Sequence, residues 1–202
     1  MRHRRPQHSD DKLLSAATSV FAGAGYGAAT VDAIAEASGA TKPTLYARYG
    51  AKADLYRAAV RRERDIFLGE LFAAYVEAES EPVAVLVERA VHAWFDYADR
   101  RPEAFRLLFA VTEASPAAEV IAEMRGTVTD RVTQLIVDAM RRLDQTDRVT
   151  AGLVGAMIVG ACVDGAYRLH ADSRLTAARA SRVATAFVVG AVWGLNPRLL
   201  EV

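Results

Sequence analysis

The sequence predicts an all-α protein of about nine helices. Apolar residues recur every three or four positions in nearly every segment, for example at Leu13, Leu14, Ala17, Val20 and Phe21, which is the spacing of one helix face. No run of alternating β-branched residues is long enough to form a strand. With 202 residues, of which 52% are hydrophobic and 25% charged, the chain can bury a sizeable core and has a globular composition.

Three short helices are predicted near the N-terminus. The first should stop at Gly23 and Gly25, because glycine weakens a helix interior. The second should end near Gly39. Thr41 can cap a third helix, which runs to about Tyr49, since a threonine hydroxyl accepts from the free N–H groups of a first helical turn.

Longer helices should follow. Proline and cap-proline pairs are typical of a helix start, because the first-turn N–H has no partner within the helix. Such starts stand at Pro82, Pro102 and Ser115-Pro116. Helical apolar spacing marks the predicted spans, which are about 55–75, 120–143, 147–170 and 174–195.

Charge is distributed unevenly along the chain. Lys and Arg number 25, as do Asp and Glu, so the formal net charge is zero. Residues 1–64 hold 11 Lys and Arg against 6 Asp and Glu, a net charge of +5, and residues 65–202 hold 14 against 19, a net charge of −5. A basic N-terminal segment on an acidic body predicts a polyanionic partner for the first part only.

Residues 29–56, ATVDAIAEASGATKPTLYARYGAKADLY, predict a helix-turn-helix. Gly39 can adopt the left-handed conformation that ends the second helix without a Cβ penalty. Ile34, Ala35 and Leu45 are the apolar residues that would pack the two helices together. The outer face of the third helix is then left polar and basic.

That polar face is suited to double-stranded DNA. The residues expected to contact DNA are Thr30, Thr41, Lys42, Pro43, Thr44, Tyr46, Arg48 and Lys52. Lys42 can donate to guanine O6 or N7, Pro43 can contact a thymine methyl, and most of the others are donors suited to phosphate oxygens. The alternative is a solvated helix pair without a partner.

The run TVDAIAEASGATKPTLYARYGAKADLY resembles the DNA-binding domain of the TetR (tetracycline repressor) family of transcriptional regulators. The opening threonine, the IA pair, the alanine-then-glycine turn, TLY, an aromatic residue three positions later and a lysine before Leu55 stand in register. The match covers about residues 8–58. Ala51 stands where the family usually has Ser or Asn, which removes a side-chain cap from the fourth helix.

The resemblance implies two domains and a regulatory function. Residues 1–58 would form the helix-turn-helix DNA-binding domain, and residues 59–202 would form a helical effector-binding and dimerisation domain. The protein would bind a near-palindromic operator as a homodimer and act as a repressor that a small, apolar effector releases. Arg2, Arg4 and Arg5, within the basic arm of residues 1–8, can reach phosphates or the minor groove. The alternative for this arm is a solvated tail.

An effector pocket inside the second domain is implied by the resemblance. Its candidate residues are Trp94, Phe95, Phe105, Phe109, Met124, Asp164 and Tyr167. The alternative is that the apolar ones are simple core. Asp164 can meet a ligand donor or pair with Arg168 at i+4, and the same spacing lets His92 pair with Asp96.

The last two helices are candidates for a four-helix dimer interface, as in the proteins that the chain resembles. The expected interface residues are Gly155, Gly160, Val183, Phe187, Val188 and Ala191. Gly152, Gly155, Gly160 and Gly165 suggest close helix approach, because glycine otherwise only destabilises a soluble helix. Burial of both helices within one monomer is the alternative.

Motifs of catalysis are not found. The sequence lacks a glycine-rich phosphate loop, HExxH, GxSxG and Cys/His metal spacing, so we expect a protein that is not an enzyme and needs no cofactor or metal. A helical enzyme and a scaffold that has lost DNA binding are the competing hypotheses.

The compartment is predicted to be the cytoplasm. Cys162 is the sole cysteine, which rules out a disulfide within the chain and favours a buried, inert thiol over a redox sensor. The N-terminal residues do not resemble a secretory signal. The longest apolar runs, 151–163 and 183–195, are shorter than the roughly 18 to 20 residues that span a bilayer, so no membrane partner is expected.

Overall fold

The computed structural model describes residues 9–77, 81–110, 115–141 and 148–194, which contain nine α-helices and no strand. The predicted all-α class is confirmed. The helices are α1 (Asp10–Ala28), α2 (Val31–Ser38), α3 (Lys42–Tyr49), α4 (Lys52–Glu77), α5 (Val83–Arg100), α6 (Pro102–Phe109), α7 (Ala118–Arg141), α8 (Arg148–Ala171) and α9 (Ala177–Trp193). The basic arm of residues 1–8 and Leu143, the last residue of a predicted span, lie outside the described residues.

The chain forms two compact units. The first contains the described residues up to Ile66 together with those from Glu103 to Ala122, and the second contains those from Phe67 to Pro102 and from Glu123 onward. Helices α4 and α7 each continue from one unit into the other. The predicted division after residue 58 concerns function and stays a prediction.

The first unit is built on α1, α2 and α3. Leu13, Phe21, Ile34, Leu45 and Leu55 are almost completely buried, and together they form its apolar core. Burial of such side chains contributes about 1.5–3 kcal/mol each to folding.

Helix α1 is shaped by its two ends. Ser9 caps it by accepting from the Lys12 N–H at 3.3 Å. Gly25 has a φ of 74°, which breaks the helical backbone near its end. The predicted break is therefore found at Gly25, whereas Gly23 stays inside the helix, which ends at Ala28.

A buried carboxylate joins α1 to α4. Glu63 is fully buried, and its Oε1 accepts from the Thr18 hydroxyl at 3.1 Å. The Arg62 guanidinium pairs with both Glu63 and Asp11. A buried charge is tolerated only when it is paired and hydrogen-bonded, so this arrangement fixes how the two helices pack.

The second unit is organised around α5, α8 and α9. The Trp94 indole Nε1 donates to the Cys162 carbonyl oxygen at 3.2 Å, which ties α5 to α8. His170 Nε2 lies 2.9 Å from the Ala98 carbonyl oxygen, farther along the same pair of helices. Phe67 and Tyr97 stack edge-on at 5.0 Å between ring centroids and add to this core.

Helix starts follow the predicted signals with small shifts. Pro102 opens α6, whereas Pro82 precedes the first residue of α5, and α7 begins two residues after Pro116. Thr176 caps α9 by accepting from the Arg179 N–H at 3.2 Å, so that helix begins at Ala177 rather than near residue 174.

Helix α8 is unusually apolar. Among the described residues it is the one helix whose length and composition would allow it to cross a membrane. The high mean hydropathy of α8 comes from small and branched apolar residues. Its inner positions, such as Ala151, Ile158 and Ala166, are buried in the second unit. A helix with one side packed in a protein core can have the same composition.

Candidate nucleic-acid interface and effector cavity

The turn between α2 and α3 is fixed by local hydrogen bonds. Gly39 ends α2 in the left-handed conformation with a φ of 71°. Thr30 caps α2 by accepting from the Ala33 N–H at 3.1 Å. Thr41 caps α3 by accepting from the Thr44 N–H at 3.3 Å. Both caps satisfy N–H groups that a helix leaves without partners, and the predictions for Gly39 and Thr41 are confirmed.

Buried residues hold the two helices together. Ile34 and Leu45 are 0% and 1% exposed, and Ala35 is also buried, as predicted. Ser38 is fully buried, donates to the Ile34 carbonyl at 2.7 Å and accepts from the Ala40 N–H at 3.3 Å. Ser38 is not among the residues predicted from the sequence, although a serine at the end of a helix is a common hydrogen-bonding residue.

The outer face of α3 is exposed. Most of the residues predicted to contact DNA are solvent-exposed on this face or just before α2, namely Thr30, Thr41, Lys42, Pro43, Thr44, Tyr46 and Arg48. Lys52, at the start of α4, is half-buried. The structure therefore brings seven of the eight residues to the surface of the first unit, and their contact with DNA stays a prediction.

The two basic residues of α3 are paired with acids from other helices. Lys42 Nζ lies 2.9 Å from Asp32 Oδ2, and this hydrogen bond and attraction raise the pKa of Lys42. Arg48 Nε lies 2.6 Å from Asp10 Oδ1, to which the Tyr49 hydroxyl also donates at 2.7 Å. Partial burial, together with this bond to a carboxylate, raises the pKa of Tyr49 well above its ordinary value.

Lys52 also has partners inside the first unit. Its Nζ donates to the Gly27 carbonyl at 3.1 Å and lies 4.7 Å from the centroid of the Tyr26 ring. Asp10, Asp32 and Tyr26 could not be found from sequence spacing, because they are distant from their partners along the chain.

Helix α4 begins without the usual hydroxyl cap. Asp54, the third residue of the helix, makes the reciprocal bond of a capping box, because its Oδ2 accepts from the Ala51 N–H at 3.1 Å. Its Oδ1 accepts from Arg57 at 2.7 Å. Gly50, two residues before the first residue of α4, has a φ of 80°. The start of α4 is therefore fixed at Lys52 although Ala51 cannot cap it.

The second unit contains an apolar cavity. Its lining residues come from α4, α5, α7, α8 and α9 and are Leu71, Tyr75, Leu86, Val87, Ala90, Val91, Trp94, Val128, Val132, Leu135, Ile158, Val159, Cys162 and Val188. Burial raises the pKa of the Cys162 thiol to about 12, and burial likewise raises that of Tyr75 to about 12. Both groups are therefore protonated and neutral at physiological pH, so they add no charge to the cavity lining.

A second groove lies beside the cavity within the same unit. It shares Cys162 and Val188 with the cavity, and Arg168 is its one charged lining residue. Its other lining residues are Phe95, Ala161, Gly165, Leu175, Ala180, Val183, Ala184 and Phe187.

The residues predicted to form a ligand pocket do not gather at one place. Trp94 lines the cavity and Phe95 lines the groove. Phe105 and Phe109 are buried in the first unit. The remaining three are in the second unit but outside both linings: Met124 is buried, Tyr167 is half-buried and Asp164 is exposed.

Helices α8 and α9 expose large apolar side chains. On α8, Val149, Leu153 and Met157 are 82%, 59% and 62% exposed and stand four residues apart. On α9, Val183 and Phe187 are 65% and 56% exposed with the same spacing. Each set follows one side of its helix, because residues four apart are neighbours on a helix surface.

The residues predicted for the dimer interface divide between surface and core. Val183 and Phe187 are exposed, Ala191 and Gly160 are half-buried, and Val188 is buried. Gly155 is buried against α7, where an added Cβ would lie 2.7 Å from Thr133 Oγ1.

Comparison with known proteins agrees with this architecture. Residues 13–59 match the family model for bacterial regulatory proteins of the tetR family. The chain is 31% identical over 165 residues to the HTH-type transcriptional activator FasR of Mycolicibacterium smegmatis, covering 80% of this chain and 72% of that protein.

Solved structures show the same fold. A TetR-like transcriptional regulator from Rhodococcus sp. RHA1 superposes with a TM-score of 0.76 at 21% identity, covering 94% of this chain and 97% of the other. The transcriptional regulator FadR from Bacillus subtilis was solved in complex with stearoyl-CoA. It superposes with a TM-score of 0.75 at 14% identity, covering 93% of this chain and 100% of the other. These proteins are regulators and not enzymes. The chain belongs to the TetR family and is a DNA-binding transcriptional regulator.

Proposed function

We propose that this regulator binds a near-palindromic operator as a homodimer and that an acyl chain in the apolar cavity of the second unit changes its affinity for DNA. The capped α3, with its exposed polar face, is the observation that supports the DNA-binding part most strongly. Each protomer would place α3 in the major groove of one half-site, which is how helix-turn-helix dimers read two-fold operators.

In this proposal the DNA contacts come from the exposed face of α3 and its flanks. Lys42 and Pro43 stand at the start of the helix, where side chains reach base edges. Thr30, Thr41, Thr44, Tyr46, Arg48 and Lys52 contact phosphates. Lys42, Arg48 and Lys52 exchange their partners within the protein for DNA acceptors when the complex forms.

Dimer formation is supported by the exposed apolar faces of α8 and α9. Exposed apolar residues that are contiguous and large are typical of protein–protein interfaces. Val183 and Phe187, with Leu153 and Met157, are the core of the proposed interface, and Gly160 and Ala191 contribute small residues at its edges. A two-fold dimer uses the same surface on both protomers, so one patch suffices.

The effector is proposed to be a fatty acyl chain, free or as a thioester of coenzyme A. The cavity lining is apolar apart from the protonated hydroxyl and thiol of Tyr75 and Cys162. The structurally similar FadR of Bacillus subtilis was solved with stearoyl-CoA, which supports this ligand class. Helix α4 contributes Leu71 and Tyr75 to the lining and continues into the first unit, which supports a route from ligand to DNA affinity.

Repression is the proposed direction of control, with release of the operator by the effector. Activation is the second candidate, because the FasR relative is named as an activator. Transcription from a promoter carrying the operator, measured with and without the protein, separates the two. In either case we propose a cytoplasmic protein without enzymatic activity, cofactor or metal.

The DNA-binding part is tested by selection from a random library. The selected fragment and random DNA are then titrated at several salt concentrations. We expect tight binding to the selected fragment, with a log–log salt slope of about −0.9 for each phosphate contacted. Equal binding to selected and random DNA would contradict the proposal.

The ligand part is tested on the same fragment with stearoyl-CoA and free coenzyme A. We expect stearoyl-CoA to change DNA affinity on the order of tenfold, a typical coupling between two sites, and free coenzyme A to have no effect. Ala90→Leu narrows the cavity and should abolish the ligand response while DNA binding persists. Ala178→Leu adds the same side chain at an exposed position of α9 and is the control. An equal response to free coenzyme A would show that the acyl chain is not the effector.

A further inference from the structure

One phenolic hydroxyl belongs to the wall of the apolar cavity. Tyr75 lies in the last turn of α4, lines the cavity and is only 5% exposed. Its hydroxyl is protonated at physiological pH and can donate a hydrogen bond. The Cys162 thiol is a weaker donor, and the Trp94 indole already donates to a backbone carbonyl. Tyr75 is therefore the lining residue best suited to the polar end of an otherwise apolar ligand.

A positive charge lies next to the same ring. The Arg131 guanidinium of α7 is 5.4 Å from the centroid of the Tyr75 ring, which is within the range of a cation–π contact. Arg131 does not line the cavity, although its neighbour Val132 does. Burial raises the pKa of Tyr75 and Arg131 opposes that rise, so the cation is within electrostatic reach of the hydroxyl. Tyr75 thus contacts both the cavity and a cation.

Arg131 is also available to an anion. Its side chain is exposed, and among the described residues no carboxylate forms an ion pair with it. Arg168, the charged residue of the neighbouring groove, differs in this respect, because Asp172 Oδ2 lies 4.0 Å from its guanidinium. The carboxylate of Asp172 would repel an anionic group that approached Arg168. Arg131 is therefore the better of the two for binding an anion.

Resting on the proposed acyl effector, we infer that Arg131 and Tyr75 bind the anionic head group of that ligand, a carboxylate or a phosphate, while its chain occupies the cavity. The planar guanidinium donates parallel hydrogen bonds to either anion. Hydrogen bonds between charged groups are roughly twice as strong as neutral ones, and this one displaces no carboxylate of the described residues.

The test compares stearate, stearoyl-CoA and octadecan-1-ol, which has the same chain length without a charge. Radiolabelled ligands, kept below their aggregation concentrations, are bound to the full chain in equilibrium dialysis. The variants are Arg131→Gln, Arg131→Lys, Tyr75→Phe and Arg168→Gln. Arg125→Gln is the matched control, because Arg125 is on the same helix and lines neither cavity nor groove. Thermal unfolding verifies that each variant is folded.

We expect Arg131→Gln to weaken binding of the anionic ligand about tenfold, as loss of a hydrogen bond between charged groups does. Tyr75→Phe should weaken it about fivefold, and Arg131→Lys should retain most of the affinity because it keeps the charge. Binding of octadecan-1-ol should change less than about twofold in Arg131→Gln. Arg125→Gln should bind all ligands as the wild-type protein does. A loss with stearate assigns a carboxylate to the site, and a loss with stearoyl-CoA assigns a phosphate.

Unchanged binding of both anionic ligands by Arg131→Gln would overturn this inference. An equal loss for octadecan-1-ol, or a loss caused by Arg168→Gln instead, would overturn it as well. These outcomes leave the proposed function intact, since the wild-type protein still binds the acyl ligand. If the wild-type protein binds none of the three ligands, the proposed effector fails and this inference fails with it.

Discussion

Single residues determine the geometry of the turns in the first unit. Gly39 and Gly50 follow the last residues of α2 and α3 and have φ values of 71° and 80°. Residues with a Cβ rarely adopt this conformation, because the Cβ approaches the neighbouring carbonyl oxygen. The role of Gly39 could be predicted because the apolar pattern of α2 stops there.

Replacement of Gly39 by alanine should destabilise the protein. The left-handed conformation costs a non-glycine residue roughly 1–2 kcal/mol, so we expect the free energy of unfolding to fall by about that amount. Gly23→Ala is the control, because Gly23 lies inside α1 with open space around its Cα, and alanine there should be neutral or stabilising by up to about 1 kcal/mol. Urea denaturation measures the free energy of unfolding of both variants. Equal stability of the two variants would contradict the role given to Gly39.

Side-chain partners were predictable only in part, even between residues close together in the sequence. The cap at Thr41 follows from its place before a helical pattern. The predicted pairing of His92 with Asp96 is wrong, because Asp96 accepts from Arg100 at 2.9 Å and His92 Nε2 lies 3.3 Å from Ser181 Oγ on α9. Partners in other helices depend on packing, which the spacing within one helix does not reveal.

At the scale of elements, glycine determines where α8 approaches its neighbours. An added Cβ at Gly165 would lie 3.0 Å from the Phe95 ring of α5, and one at Gly155 would meet α7. Gly152 and Gly160 have open space instead. The predicted close approach is therefore confirmed at two of the four glycines. The sequence could not distinguish them, because the contacts of each glycine depend on how α8 packs against other helices.

Gly155→Ala should destabilise the second unit. The new Cβ would overlap Thr133 Oγ1 and approach the Thr129 carbonyl oxygen at 3.4 Å, so α8 must move from α7 at a cost of about 1–3 kcal/mol. Gly152→Ala adds the same methyl three residues earlier in the same helix and should be neutral or stabilising. Thermal unfolding compares the stability of the Gly155→Ala and Gly152→Ala proteins. A stable Gly155→Ala protein would mean that Thr133 rotates away without cost.

At the scale of the whole molecule, the sequence predicted the all-α fold class and the DNA-binding function better than it predicted the residues of the ligand pocket. The charge asymmetry and the helix-turn-helix pattern are local in the sequence, and both pointed to DNA binding. The ligand cavity is formed by side chains from five helices, so composition alone identified Trp94 but also selected Phe105, which the structure buries in the first unit. Burial alone does not tell a core residue from a cavity residue.

Phe187→Glu should dissociate the proposed homodimer. A charge placed in an apolar interface loses its hydration without gaining a partner, so we expect a large shift toward monomer and a loss of operator affinity. Val76→Glu is the control, because Val76 is 71% exposed on α4 and outside the apolar faces of α8 and α9. Sedimentation velocity gives the molecular mass in solution. An unchanged mass for Phe187→Glu would place the interface elsewhere.

The indole of Trp94 gives the protein an optical property. The ring is 4% exposed, lines the apolar cavity and donates to the Cys162 carbonyl oxygen. The chain has one other tryptophan, Trp193, at the end of α9. In a Trp193→Phe protein, all indole fluorescence would come from the cavity wall. Its emission wavelength would then report cavity occupancy without a label, even while the protein is bound to DNA.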